Sequence, residues 1–293
     1  MRWLSSNAEH LLDIALRADE RQQDTKRVSS YKLLAEIGLM LMLCGRSGQF
    51  ARSEDYQEIL SAFDAAVGKI RLPTEDLPSC LRFLSGVTPA LEVNGLNSDR
   101  FRDDLMRVLR QDMLHVRDQT PWSILSLTYF LDLCGIQHSL PSSEDLYLRS
   151  ILGSRPPIHC LSNHELYALS HLIFFFGDFG DNRGFFTRLP DHRPLSIYLD
   201  HVTAACLIDG DWDLTGEFLI GYECIGADHS LMRDFAWRQI LQHQRPSGEI
   251  DVPRRIQMKS DQSDASPLGM FERHYHQTLV SIIASNLYAQ HHV

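Results

Sequence analysis

Positive charge is in short supply in this sequence. Its 28 Lys and Arg stand against 38 Asp and Glu, a formal net charge of −10, and the basic residues are scattered rather than gathered. Nucleic acids and anionic membrane surfaces are gripped by clustered Lys and Arg, so neither partner class is expected. No run reaches the roughly 18 apolar residues that a membrane span needs. The opening segment MRWLSSNAEHLLDIALRADE turns charged at once and lacks the apolar stretch of a secretion signal. Six cysteines, Cys44, Cys80, Cys134, Cys160, Cys206 and Cys224, include no CxxC pair, which removes the common zinc and redox spacings. Their mostly apolar surroundings fit reduced, buried thiols in a cytoplasmic protein. GxGxxG, Walker A, GxSxG and HExxH are all missing. The run GDFGDNRG contains a DFG triplet without a glycine-rich loop, a VAIK-like strand or an HRD segment, so kinase chemistry does not follow from it.

Strand-like alternation is almost absent as well, whereas apolar residues at helical spacing recur along all 293 residues. The pattern predicts an all-α chain with twelve helices, over residues 5–21, 30–45, 53–69, 76–85, 97–115, 121–135, 142–152, 162–177, 191–208, 212–226, 228–244 and 270–289. Their composition alternates. SDRFRDDLMRVLRQDMLHV, the fifth, carries eight charged residues, and PWSILSLTYFLDLCG, the sixth, carries one. The charged helices suit an outer layer and the apolar ones an inner layer, repeating about every 45 to 50 residues. Six such hairpins closed into a ring make a single-domain α/α toroid over residues 1–293 with a central cavity. An open superhelix of helix pairs is the alternative. The most apolar inner helix, SNHELYALSHLIFFFG at Ser162 to Gly177, still carries two histidines and a glutamate, and polar groups on a buried helix need partners or a cavity.

AWRQILQHQRPSGEI, Ala236 to Ile250, resembles the end of a repeat in the terpenoid cyclase and protein prenyltransferase superfamily, through Trp237, Gln244, Pro246 and Gly248. The segments LYALSHLIFFFGDFG, GDWDLTGEFLIG and YHQTLV are similar to a family of bacterial all-helical proteins encoded beside natural-product genes. The first resemblance implies a toroid, in whose zinc-dependent members the metal sits inside the ring. The second implies a setting in natural-product tailoring and no particular reaction; it also brings Asp178 in as a site residue.

In a toroid the N-terminal ends of the inner helices gather at one rim. That places Trp122, His164, Glu165, Tyr167, Trp212, Arg273 and His274 as substrate-binding candidates. Asp213 stands at the same rim, and His171, Glu217 and His276 lie deeper; these four are the catalytic candidates together with Asp178. Asp213 and Glu217, four apart, share a helical face. One imidazole or carboxylate from each of three helices, His171, Glu217 and His276, suits zinc or iron with an open position. Acid–base chemistry without metal is the second candidate, because crowded carboxylates in a cavity push one another's pKa apart. Residues 244–270, rich in Ser, Asp, Gln and Pro, form a candidate lid in which Arg254 and Arg255 could meet an anionic substrate. The expected activity is a cyclase, lyase or hydrolase step on a small-molecule or peptide substrate. The alternative is a non-catalytic helical module that binds a peptide, carrier or partner protein.

Overall fold

The structure, a computed structural model, describes residues 1–19, 24–72, 77, 80–110, 120–188, 192–227, 229–252 and 266–292. In chain order the helices are α1 (Arg2–Ser5), α2 (His10–Asp19), α3 (Asp24–Ser47), α4 (Glu54–Lys69), α5 (Leu81–Val93), α6 (Asp99–Leu109), α7 (Pro121–Leu133), α8 (Ser143–Leu148), α9 (Ile151–Ser154), α10 (Asn163–Phe176), α11 (Gly184–Thr187), α12 (His192–Asp209), α13 (Trp212–Ile225), α14 (Leu231–Gln242) and α15 (Pro267–His292). Among the described residues the chain is all-helical, apart from a single antiparallel bridge between Gln244 and Ile250. No helix among them is long and apolar enough to cross a membrane.

Two compact units emerge: Met1–Gln119 with Tyr129–His138, and Thr120–Thr128 with Ser139–Val293. In the first, α3 packs most extensively on α5. A Cβ at Gly38 would meet the Phe63 ring at 3.2 Å and Ala90 at 3.3 Å, and one at Gly86 would touch Ala35, so small residues set the approach. Gly86 is therefore a packing residue inside a helix rather than a helix stop. That is why the helix expected at residues 76–85 instead runs Leu81–Val93, through Pro89. Tyr56 donates to Leu41 O at 2.9 Å and contacts Asn94 Oδ1. Burial pushes its phenol and the Cys44 and Cys134 thiols up to about 12. Five of the six cysteines are buried as expected; Cys160 is exposed.

In the second unit α13 is the axis. Every residue from Trp212 to Cys224 is buried, and α10, α12, α14 and above all α15 pack around it. Its start is capped by Asp211, which accepts from Leu214 N, and its end by Gly226 in the left-handed conformation (φ 66°). α10 begins with a capping box, Ser162 with Glu165. Two expected helices are divided. Residues 5–21 split because α1 ends at Ser5 and α2 starts at His10. Residues 142–152 split because Ser150 recaps the chain by accepting from Gly153 N. The candidate lid has anchored ends. Residues 244–250 close a turn around Gly248 (φ 109°), and Ile250 N donates to Thr278 Oγ1 of α15 at 3.0 Å. From Pro267 the chain is already helical. Residues 253–265, with Arg254 and Arg255, lie outside the described residues.

Candidate functional site

Two carboxylates on a helix with no wet face define the site. Asp213 and Glu217 lie one turn apart on α13 and are both buried, and each is met by side chains from neighbouring helices. Asp213 Oδ2 accepts a hydrogen bond of 2.5 Å from Tyr167 Oη of α10. Asp213 Oδ1 lies 3.0 Å from His276 Nδ1 of α15, a close contact without hydrogen-bond alignment. Burial, followed by the charges of Asp213 and Glu217, pushes the Tyr167 phenol far above its ordinary value, so Tyr167 keeps its proton and acts as donor.

Glu217 is only 2 % exposed and is partnered differently. Its Oε2 makes a very short contact with Ser170 Oγ and lies 3.8 Å from His171 Nδ1. Ser170 Oγ also sits 2.9 Å from the Tyr167 carbonyl. A hydroxyl owns one proton. When Glu217 is ionised, Ser170 turns that proton to it; when Glu217 is protonated, it donates to Ser170, which turns to the carbonyl. The carboxyl is satisfied in both states. His171 Nδ1 lies 2.6 Å from the same carbonyl oxygen. A carbonyl only accepts, so Nδ1 carries the proton and Nε2 is the basic nitrogen of the neutral ring.

The two imidazoles are the parts that reach solvent, with side-chain exposures of 32 % for His171 and 18 % for His276. Trp122 faces the His171 ring at 5.5 Å between centroids, and Phe174 lies at 5.6 Å. Tyr275 meets His276 edge-on at 5.9 Å. Buried carboxyls are thus linked to partly exposed imidazoles bordered by aromatic rings.

The structure brings Trp122, Tyr167, His171, Asp213, Glu217 and His276 into these contacts. Other expected residues do different work. His164 is exposed, and Glu165 closes the capping box, its carboxyl held below the usual range by hydrogen bonds from Ser162. Trp212 is buried and stacks on His243 at 3.6 Å. His274 is buried with Nδ1 2.9 Å from Ile250 O, so it ties down the turn, and burial lowers its pKa. Arg273 is half-buried. Asp178 lies beyond the C-terminal end of α10 in a turn where it and Phe179 have positive φ, 43° and 49°. The three residues expected to share zinc or iron have different partners: His171 lies beside Glu217, and His276 lies beside Asp213. Among the described residues no group of three His, Cys, Asp or Glu is placed to hold a metal.

Two features escaped the sequence reading. Ser170, which shares Glu217, looks like one more small residue of an apolar helix. Glu223, fully buried beside two arginines and two histidines, left a readable signal: a lone carboxylate in the apolar run FLIGYECIG must have a partner.

Residues 1–286 match the family described as Domain of unknown function (DUF6895). The chain belongs to that family. No curated protein and no solved structure matches it. Membership spans both units and brings no reaction with it, so the reading of this DUF6895 chain rests on the contacts just described.

Proposed function

We propose that this chain is an enzyme of acid–base chemistry that tailors a small-molecule or peptide-linked natural product by a lyase, cyclase or hydrolase step. The observation that carries this reading is the unlike treatment of two neighbouring carboxyls. Asp213 receives the Tyr167 hydroxyl and the His276 imidazole, which favours its ionised form. Glu217 shares a single hydroxyl proton with Ser170 and is shut away from water, which lets it hold a proton. Carboxyls whose surroundings push them apart are how acid and base roles are divided in one site.

In this mechanism Asp213 orients His276 through Nδ1 and leaves Nε2 as the base that removes a proton from substrate. The Asp213 charge stabilises the imidazolium that forms. Tyr167 holds the carboxylate in place. On the other side of the site His171 keeps Nε2 as its basic nitrogen, and Glu217 with Ser170 accommodates the change in charge when His171 gives or takes a proton. Trp122 and Phe174 present apolar walls that shield the exchange from bulk water. The six-hairpin ring belongs to this reading too, supported by an inner helix, α13, that is buried all round. No step is routed through a zinc or iron ion.

The test is incubation of the full chain in D2O with a small-molecule and peptide extract of the producing cells, followed by mass spectrometry. A compound changed in mass, or labelled with deuterium, by wild type and not by His276→Gln or Asp213→Asn supports the reading. If no compound changes with wild type, or if both variants act equally well, the acid–base proposal fails. Retention of an unaltered peptide would then favour the binding module.

A further inference from the structure

A second charged cluster lies at the opposite ends of α13 and α15, about 22 Å along α15 from His276 at 1.5 Å per residue. Its centre is Glu223, fully buried. Arg183 donates from Nε to the Glu223 main-chain oxygen at 2.9 Å and brings Nη2 to 3.5 Å from Oε2. Arg233 Nη1 of α14 stands 3.4 Å from Oε1. From the last turn of α15, His291 Nδ1 and His292 Nε2 approach Oε2 at 3.5 and 3.1 Å. Arg233 Nη1 is also 3.3 Å from His292 Nε2, and its guanidinium lies over Tyr288. Two acids stand at the margin. Asp234 is 3.7 Å from Arg233 Nε, and Asp181 accepts from Gln290 Nε2 at 3.2 Å.

The turn after α10 is shaped to receive this end of α15. Gly180 has φ 97°, and a Cβ there would fall 2.4 Å from His291 Cε1. The His291 ring therefore occupies the place of a side chain at position 180. Asp178 and Phe179, just before it, hold left-handed conformations that residues with a Cβ seldom adopt.

One carboxylate at the centre already answers two guanidiniums, whose charge is permanent. A proton on His291 adds a third positive charge to a cluster largely cut off from water. Burial comes first, and the Arg183 charge second, in holding His291 below its ordinary value, against the opposing pull of Glu223.

We propose that the last turn of α15, Gln290 to His292, is an acid-released clasp, docked on Glu223 and Gly180 while the His291 imidazole is neutral and freed when it takes up a proton. The sign follows from linkage. A base whose pKa is lower docked than free is bound more weakly by protons in the docked state, so docking is complete above about pH 6.5 and is lost as pH falls below it. The clasp stands apart from whatever reaction the His276 end performs.

Hydrogen exchange read by mass spectrometry on the full chain tests it, comparing peptides from residues 284–292 and 212–225 at about pH 7.5 and about pH 5.5, with intrinsic rates corrected. In wild type, protection of the C-terminal peptide is expected to fall on acidification, by up to about tenfold per pH unit for each proton taken up, while the α13 peptide holds. H291N/H292N, which cannot titrate, is expected to keep its protection. Gly180→Ala, which displaces His291, is expected to be unprotected at both pH values. Unchanged protection in wild type overturns the proposal, as does acid opening of H291N/H292N equal to wild type. Should H291N/H292N be undocked at the higher pH, His292→Asn carries the test: it retains His291 against Gly180 and must open with acid, and failure to do so is equally fatal.

Discussion

Two glycines five residues apart on α13 make opposite demands, and replacing each by alanine separates packing from propensity. A Cβ at Gly221 would meet Leu199 at 3.6 Å and Ile173 at 3.7 Å, ordinary contact distances. Gly221→Ala should therefore stabilise by about 0.5–1 kcal/mol, from helix propensity and a less flexible unfolded chain. At Gly216 the same atom would stand 2.9 Å from Val280 Cγ1, about 0.5 Å inside a relaxed carbon–carbon contact. Val280 is buried and β-branched, so it has little rotamer freedom, and the strain passes to α15. Overpacking costs about 1–3 kcal/mol, so after a similar propensity gain Gly216→Ala should fall about 1–3 kcal/mol below Gly221→Ala. Val280 follows His276 by one turn, so the displacement also carries His276 away from Asp213. Guanidinium denaturation followed by tryptophan fluorescence is the assay, since Trp122, Trp212 and Trp237 all belong to the second unit. If Gly216→Ala proves as stable as Gly221→Ala, α13 and α15 are not in the close contact on which the site depends.

Tyr167→Phe removes a donor from a buried carboxylate oxygen and should cost about 1–3 kcal/mol in the same assay, with the variant's catalysis, once a substrate is in hand, reduced more than its binding. Glu223→Ala leaves Arg233 buried without its carboxylate and should destabilise by about 3–5 kcal/mol; a loss below about 1 kcal/mol would mean that the cluster is solvated. His274, with its pKa lowered chiefly by burial, favours the neutral ring in the folded chain. Its contribution is therefore full above about pH 6.5 and lost as pH falls below it, and His274→Asn should flatten that acid limb of a stability–pH curve. Elemental analysis of protein purified without an affinity tag should give well under one zinc or iron per chain, unchanged in His171→Ala; a stoichiometric metal lost in that variant would restore the three-ligand site.

The helices could be read from spacing because an apolar stripe at 3.6 residues per turn is a local property. Gly86 shows where local reading stops. Glycine ends helices at Gly226 and packs them together at Gly86, and only the facing Ala35 distinguishes the two. The stretch at Ser162 to Gly177 drew attention by its hydropathy, yet the surrounded helix is α13, whose glycines and carboxylates dilute its apolar content. Asp213, Glu217 and His276 were legible as polar residues out of place on inner helices. Their pairing was not, since whether His276 meets Asp213 or Glu217 is decided by how α15 registers on α13. Ser170 gave no signal, because a serine in an apolar helix ordinarily satisfies itself on its own backbone, and its second contact is visible only in three dimensions.

A helix buried on every side has an implication for the order in which the second unit is made. α13 depends most on α15, which leaves the ribosome well after it, and residues 226–266 must be synthesised in between. Until then the row that holds Asp213, Gly216 and Glu223 faces water or a chaperone, and the preceding helices form at best a loosely packed platform. Nascent chains arrested before residue 267 should accordingly be far more sensitive to protease across α10 to α14 than chains extended past it. Maturation of the unit is a single late event rather than a gradual accretion.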